Sequence, residues 1–98
     1  MDKILYYNAL FLIYRDLLTS NEQEVFSLYY EENYSMGEIS EVKKISRSAV
    51  GKYIRVVEQK LDNYEKILKI NEKKNALIKL ISLNDIKDIK DGIQSILD

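Results

Sequence analysis

The chain has 98 residues, 46% of them hydrophobic and 32% charged, and its 15 basic and 16 acidic side chains leave a formal net charge of −1. That is the composition of one soluble globular domain and is too apolar for a disordered chain. It holds no Cys, His, Trp or Pro and only three Gly, which excludes disulfides, a zinc ribbon, thiol or imidazole chemistry and a glycine-rich phosphate cradle, and so points away from an enzyme, a metal or a cofactor.

The first predicted element is a helix over Asp2 to Leu18. Asp2 cancels Lys3 and no small-residue cleavage site follows, so the segment does not read as a signal peptide. Asn8, Arg15 and Asp16 interrupt it well before a membrane span is complete. A soluble, cytoplasmic protein with no membrane partner is therefore the expectation. Nearly the whole remaining circumference of this helix is apolar or aromatic, which predicts either a central helix or one that pairs with a second copy.

Thr19-Ser20-Asn21 opens a second helix, with Glu22 and Glu24 in the first turn where the helix dipole favours acids. Val25, Phe26, Leu28, Tyr29 and Tyr30 form its apolar stripe. Ser35-Met36-Gly37-Glu38 fits a capping box that starts a short helix to about Val42, with Ile39 and Val42 inward. Lys43-Lys44-Ile45 is a tight linker. Ser46 then caps a long helix carrying Val50, Tyr53 or Ile54, Val57, Leu61, Tyr64 and Leu68 inward to about Lys69, with Asn71 as a candidate break. Ala76 to Ile81 predicts a further helix. Asn84 is the expected cap of the last one, where Ile86, Ile89, Ile93 and Ile96 share a face and Gly92 costs about 1 kcal/mol against Ala.

Two capped helices joined by a three-residue turn are the layout of a helix-turn-helix, here over Ser35 to Gln59. Charge follows the same boundaries. Residues 1–34 carry six acids and two bases, residues 35–60 six bases and three acids, and residues 61–98 seven of each. The one basic stretch thus coincides with the candidate reading helix. Lys43, Lys44, Arg47, Ser48, Lys52 and Arg55 are the candidate contacts to DNA phosphates and base edges.

Other features read as structure. Ser46 fits a helix cap better than a nucleophile, since no base lies near it in sequence. The eight Tyr fit core or interface packing better than a stacking platform for single-stranded RNA. Glu22, Glu24, Glu31 and Glu32 fit a solvated face better than a metal site.

Leu18-Thr19, Val25-Phe26, Leu28, Ser35 through Glu41 and Ile45-Ser46-Arg47-Ser48-Ala49-Val50 resemble the promoter-reading C-terminal domain of bacterial sigma factors. Ile4 through Asn8, Leu17-Leu18-Thr19, Leu28-Tyr29-Tyr30 and Leu61 to Glu65 bring the likeness closer to the small bacterial YlxM family of helix-turn-helix proteins; it covers roughly residues 3–68. Family members are encoded beside signal recognition particle genes, which implies a regulatory role in that pathway. Three positions depart from the family pattern: Ser40 replaces a usual Ala, Lys44 a usual Gly and Lys43 an inward Leu. These imply a reshaped turn packed by Val42 and Ile45, with Gly51 weakening the reading helix slightly.

The expectation is an all-α domain over residues 1–98 with five or six helices, a helix-turn-helix at about 35–60 and an extension at about 70–98. Its expected function is noncatalytic DNA binding as a homodimer, through a seam of Tyr6, Leu10, Ile13 and Leu17 or through residues 70–98. RNA is a further candidate ligand, with no small-molecule substrate. The alternative is an adaptor for a protein or RNA of the signal recognition particle pathway.

Overall fold

Six helices carry the chain in a computed structural model that describes residues 2–98, with no strand among them. They are α1 (Lys3–Tyr14), α2 (Ser20–Tyr30), α3 (Met36–Lys43), α4 (Arg47–Leu68), α5 (Ile70–Ile81) and α6 (Ile86–Leu97). The fold is all-α. None of these helices is long and apolar enough to cross a membrane.

Local chemistry explains most of the boundaries. α1 stops at Tyr14 rather than at Leu18, because the chain tightens into a 3-10 turn over Arg15–Leu17 and Leu18 is extended. That places Thr19 to cap α2 in a full capping box with Glu22. Ser35 and Glu38 form the predicted box at α3. The Ser46 side chain accepts the Ala49 N–H and starts α4.

α4 is the central strut. Val50, Ile54, Val57 and Leu61 point into a core completed by Leu10, Phe11 and Tyr14 of α1, Val25, Phe26 and Tyr30 of α2, and Ile39 of α3. Phe26 stacks on Tyr30 at 4.4 Å and tilts against Phe11 at 5.0 Å. Burying a side chain of this size stabilises the fold by about 1.5–3 kcal/mol relative to leaving it exposed. Two expected inward residues are not in this core: Val42 is 57% exposed and Leu68 44%. Both stand in the last turns of their helices.

A row of tyrosines bolts α1 and α2 to α4. Tyr30, Tyr7 and Tyr14 donate their hydroxyls to Glu58, Asp62 and Glu65, with Tyr7 at 2.8 Å and Tyr14 at 2.6 Å. These carboxylates repeat at four and three residues, so they share one face of α4. Burial, aided by the Glu65 hydrogen bond, pushes the Tyr14 hydroxyl up to about 12. Burial and their carboxylate partners push Tyr7 and Tyr30 up as well. All eight tyrosines are buried or half-buried, so none stands out as a stacking platform.

The last two helices differ in kind. α4 ends where Lys69 turns left-handed (φ 54°), and Asn71 continues α5 rather than breaking a helix. α5 therefore starts six residues earlier than its apolar pattern suggests. Its first turn is capped from outside: Glu65 accepts the N–H groups of Asn71 at 3.0 Å and Glu72 at 2.9 Å, while Ile70 donates to the Tyr14 hydroxyl at 3.3 Å. α6 is capped by Asp85, which accepts the Lys87 N–H, and not by Asn84. Ile89 and Ile96 are half-buried, whereas Ile86 and Ile93 face out. Gly92 has a reason to be glycine, since a Cβ there would lie 2.3 Å from the Leu80 side chain. Neither α5 nor α6 contributes a buried residue.

Candidate nucleic-acid interface

The α3–α4 turn decides whether the reading helix is presented. Lys44 sits at φ 56°, ψ 44°, the left-handed conformation that glycine adopts without strain. The turn keeps this shape with a lysine in it. The Ile45 N–H donates to the Ser40 carbonyl at 3.2 Å, and the Ser40 hydroxyl donates to the Ile45 carbonyl at 2.5 Å. An alanine at position 40 has no such hydroxyl. Of the two residues expected to pack the turn, Ile45 is half-buried against the core and Val42 is exposed.

The candidate contacts fall into two groups. Lys43 turns inward to an ion pair with Glu24 of α2 and is only 23% exposed, so it fills the inward Leu position as a bound cation. Lys44, Arg47, Ser48, Lys52 and Arg55 are all exposed. Ser48, Lys52 and Arg55 repeat at four and three residues along the side of α4 opposite Val50, Ile54, Val57 and Leu61. Arg47 lies across the start of α3, near enough that a Cβ on Gly37 would sit 3.9 Å from its Nε. Gly51 is buried against α3, where a Cβ would lie 3.9 Å from Met36 Sδ and 3.3 Å from Arg55 Nη1.

Electrostatics sharpens the division. Among the described residues the ion pairs use Lys3, Arg15, Lys43 and Lys60, and none uses Lys44, Arg47, Lys52 or Arg55. Of the four acids expected on a solvated face, Glu24, Glu31 and Glu32 are exposed, and Glu22 is buried instead. Glu22 is buried and meets Lys60 at 2.7 Å, Glu24 holds Lys43, and Glu31 meets Arg15 at 2.5 Å. Burial alone would raise the Glu22 carboxyl, but Lys60 and the Thr19 hydrogen bonds outweigh it and hold it below the usual carboxylate range. The first two pairs tie α2 to α4 and α3, and the third ties the end of α2 to the 3-10 turn after α1. Sequence reading missed them because each joins residues far apart in the chain; the repeat of Glu58, Asp62 and Glu65 was the one local clue to the tyrosine row.

The proposed pairing seam on α1 is corrected by burial. Leu10 is fully buried in its own chain, and Tyr6 and Ile13 pack half-buried on the same core. Only Leu17 is exposed, at 55%. The spacing of these residues reflects the contact of α1 with its own domain.

The chain is similar in sequence to known proteins. Residues 1–97 match the model of the UPF0122 family, described as "Putative helix-turn-helix protein, YlxM / p13 like". A UPF0122 protein of Oceanobacillus iheyensis is 35% identical over 102 residues, covering 100% of this chain and 97% of that one. A UPF0122 protein of Ureaplasma parvum serovar 3 is 40% identical over 90 residues, covering 88% and 91%. The UPF0122 protein YlxM of Bacillus subtilis is 39% identical over 87 residues, covering 85% and 79%. With its helix-turn-helix in place and the match running almost end to end, the chain belongs to the YlxM / p13-like UPF0122 family.

Proposed function

We propose that this chain is a noncatalytic, cytoplasmic DNA-binding regulator that works as a homodimer and lays the first turns of α4 in the major groove. The observation that carries this reading is the exposed row of Ser48, Lys52 and Arg55, with Arg47 and Lys44 at its base, opposite the buried face of α4. A groove about 12 Å wide admits one such helix, and the preceding helix braces it across the backbone. Lys43 supports the turn through Glu24 and leaves the contacts to the other five residues. The gene neighbourhood implied by the family resemblance makes the signal recognition particle pathway the process it would regulate.

The test is fluorescence anisotropy with labelled duplex from the upstream region of the chain's own gene, and with signal recognition particle RNA, at several salt concentrations. Saturable duplex binding is expected, abolished by Arg47→Ala with Arg55→Ala while the circular dichroism spectrum stays unchanged. Removing one cation that neutralises a phosphate flattens the log–log salt slope by roughly 0.9. Unchanged affinity in the double variant overturns the reading. A second reading, an adaptor for a protein or RNA of that pathway, is favoured by exposed Leu5 and Leu12 on α1, 66% and 68% accessible. It calls for duplex-independent binding that ignores Arg47 and Arg55.

A further inference from the structure

The α5–α6 hairpin is one-sided. Ala76, Leu80, Gly92 and Ile96 line the groove between its antiparallel helices. Helical spacing then places Ile70, Leu77 and Ile81 of α5 and Ile86, Ile93 and Leu97 of α6 on a single side. All six are exposed, from 40% at Ile93 to 83% at Ile81. The other side carries polar Glu72, Asn75, Lys79, Asp88 and Asp91, while Lys74 and Lys90 border the apolar row.

Surface area says how much cover is missing. The chain exposes 7048 Å², whereas a compact monomer of 11.5 kDa exposes roughly 5,800 Å². Its radius of gyration is 17.3 Å, against about 13 Å for a compact chain of this length. The excess of roughly 1,200 Å² exceeds the ≈ 800 Å² that each partner of a standard interface buries. Charge says what the cover is. From Lys69 to Ile81 there are four Lys and one Glu, and from Ser82 to Asp98 four Asp and two Lys. The hairpin is complementary to itself.

We infer that this face docks on the same face of a second copy, forming an antiparallel four-helix bundle. A two-fold axis along the hairpin sets lysine-rich α5 over aspartate-rich α6 of the partner, so each copy supplies both halves of the contact. The same axis brings both copies of the α3–α4 unit to one end of the bundle. The pairing itself does not depend on DNA; only the use of those two units as paired readers rests on the function proposed above.

Sedimentation of the full chain without nucleic acid tests the pairing. The expected mass at tens of micromolar is twice 11.5 kDa, falling to the single-chain mass in Leu77→Asp with Ile93→Asp. Leu12→Asp, on the exposed side of α1, leaves the dimer intact. A monomeric wild type, a dimer that survives the arm variant, or one lost through Leu12→Asp overturns the inference. Because the chain has no Trp, Ile81→Trp adds a readout that needs no disruptive charge. Its emission is expected to shift to the red on dilution, and an emission independent of concentration also overturns the pairing.

Discussion

The two ends of this molecule are held together by different means. From α1 to α4 the chain supplies its own interior, with nine large side chains less than 2% exposed and carboxylates or carbonyls for its buried hydroxyls. The α5–α6 arm has comparable apolar content but buries none of it fully. Amphipathic helices are stable only when the apolar face is covered. The comparison teaches that the helix-turn-helix body is self-sufficient, while the arm takes its order from Glu65 at one end and from whatever covers its open face.

The sharpest way to break this contrast is to cut equally into both regions. Leu61→Ala in the body is expected to cost about 2–5 kcal/mol, because a fully buried leucine leaves a cavity. Ile86→Ala in the arm, measured at a dilution where the chain is single, is expected to change stability by less than about 0.5 kcal/mol. Urea denaturation of the two variants checks both.

Alkaline titration separates the regions in another way. The hydroxyls of Tyr7, Tyr14 and Tyr30 are all raised above their ordinary value of 10.0. A group raised on folding stabilises the protein fully below its unfolded pKa and loses that contribution as pH climbs toward the folded value. The body is thus expected to hold up to about pH 10 and to weaken above it, with the share of Tyr14 the first to be lost in full. The arm, with no tyrosine, contributes nothing to this loss. Glu22 has the opposite sign: its lowered pKa stabilises above the ordinary carboxylate value of 4.5 and that share is lost on acidification. Far-ultraviolet circular dichroism across both ranges checks the two signs.

The joint between the regions is the next target. Glu65→Ala removes the acceptor for Tyr14 and for two N–H groups of α5, and is expected to cost about 1–3 kcal/mol. Amide exchange at Asn71 and Glu72 is expected to quicken before that of α4. A smaller effect than that of Glu65→Ala belongs to the turn. Lys44→Gly relieves a left-handed lysine and is expected to stabilise by about 1 kcal/mol, or roughly 4–8 °C in melting temperature. A calorimetric scan checks it.

What could be read in the sequence was local. Ser35 with Glu38, and Ser46, announce their helices because a cap and its partner lie within three residues, and the turn between them fixes the helix-turn-helix. The basic stretch was equally legible, since charge needs no contact to be counted. The remainder depended on residues distant in the chain. Lys43 counted as a free cation until Glu24 came beside it, and Leu10 as a seam residue until α4 closed over it. The start of α5 at Ile70 was invisible because its capping acid, Glu65, belongs to the previous helix. Asp85 replaced Asn84 as a cap through a shift of one residue, which composition alone does not resolve.

α4 has one more consequence. The side that holds the fold together and the side that faces outward alternate along the same 22 residues, yet they share almost no positions. Ser48, Lys52, Arg55 and Gln59 can be rewritten while Val50, Ile54, Val57 and Leu61 stay as they are. Such a helix can change its ligand over evolutionary time without passing through an unfolded ancestor. Relatives 35–40% identical to this chain can therefore inherit one scaffold and diverge in what they recognise.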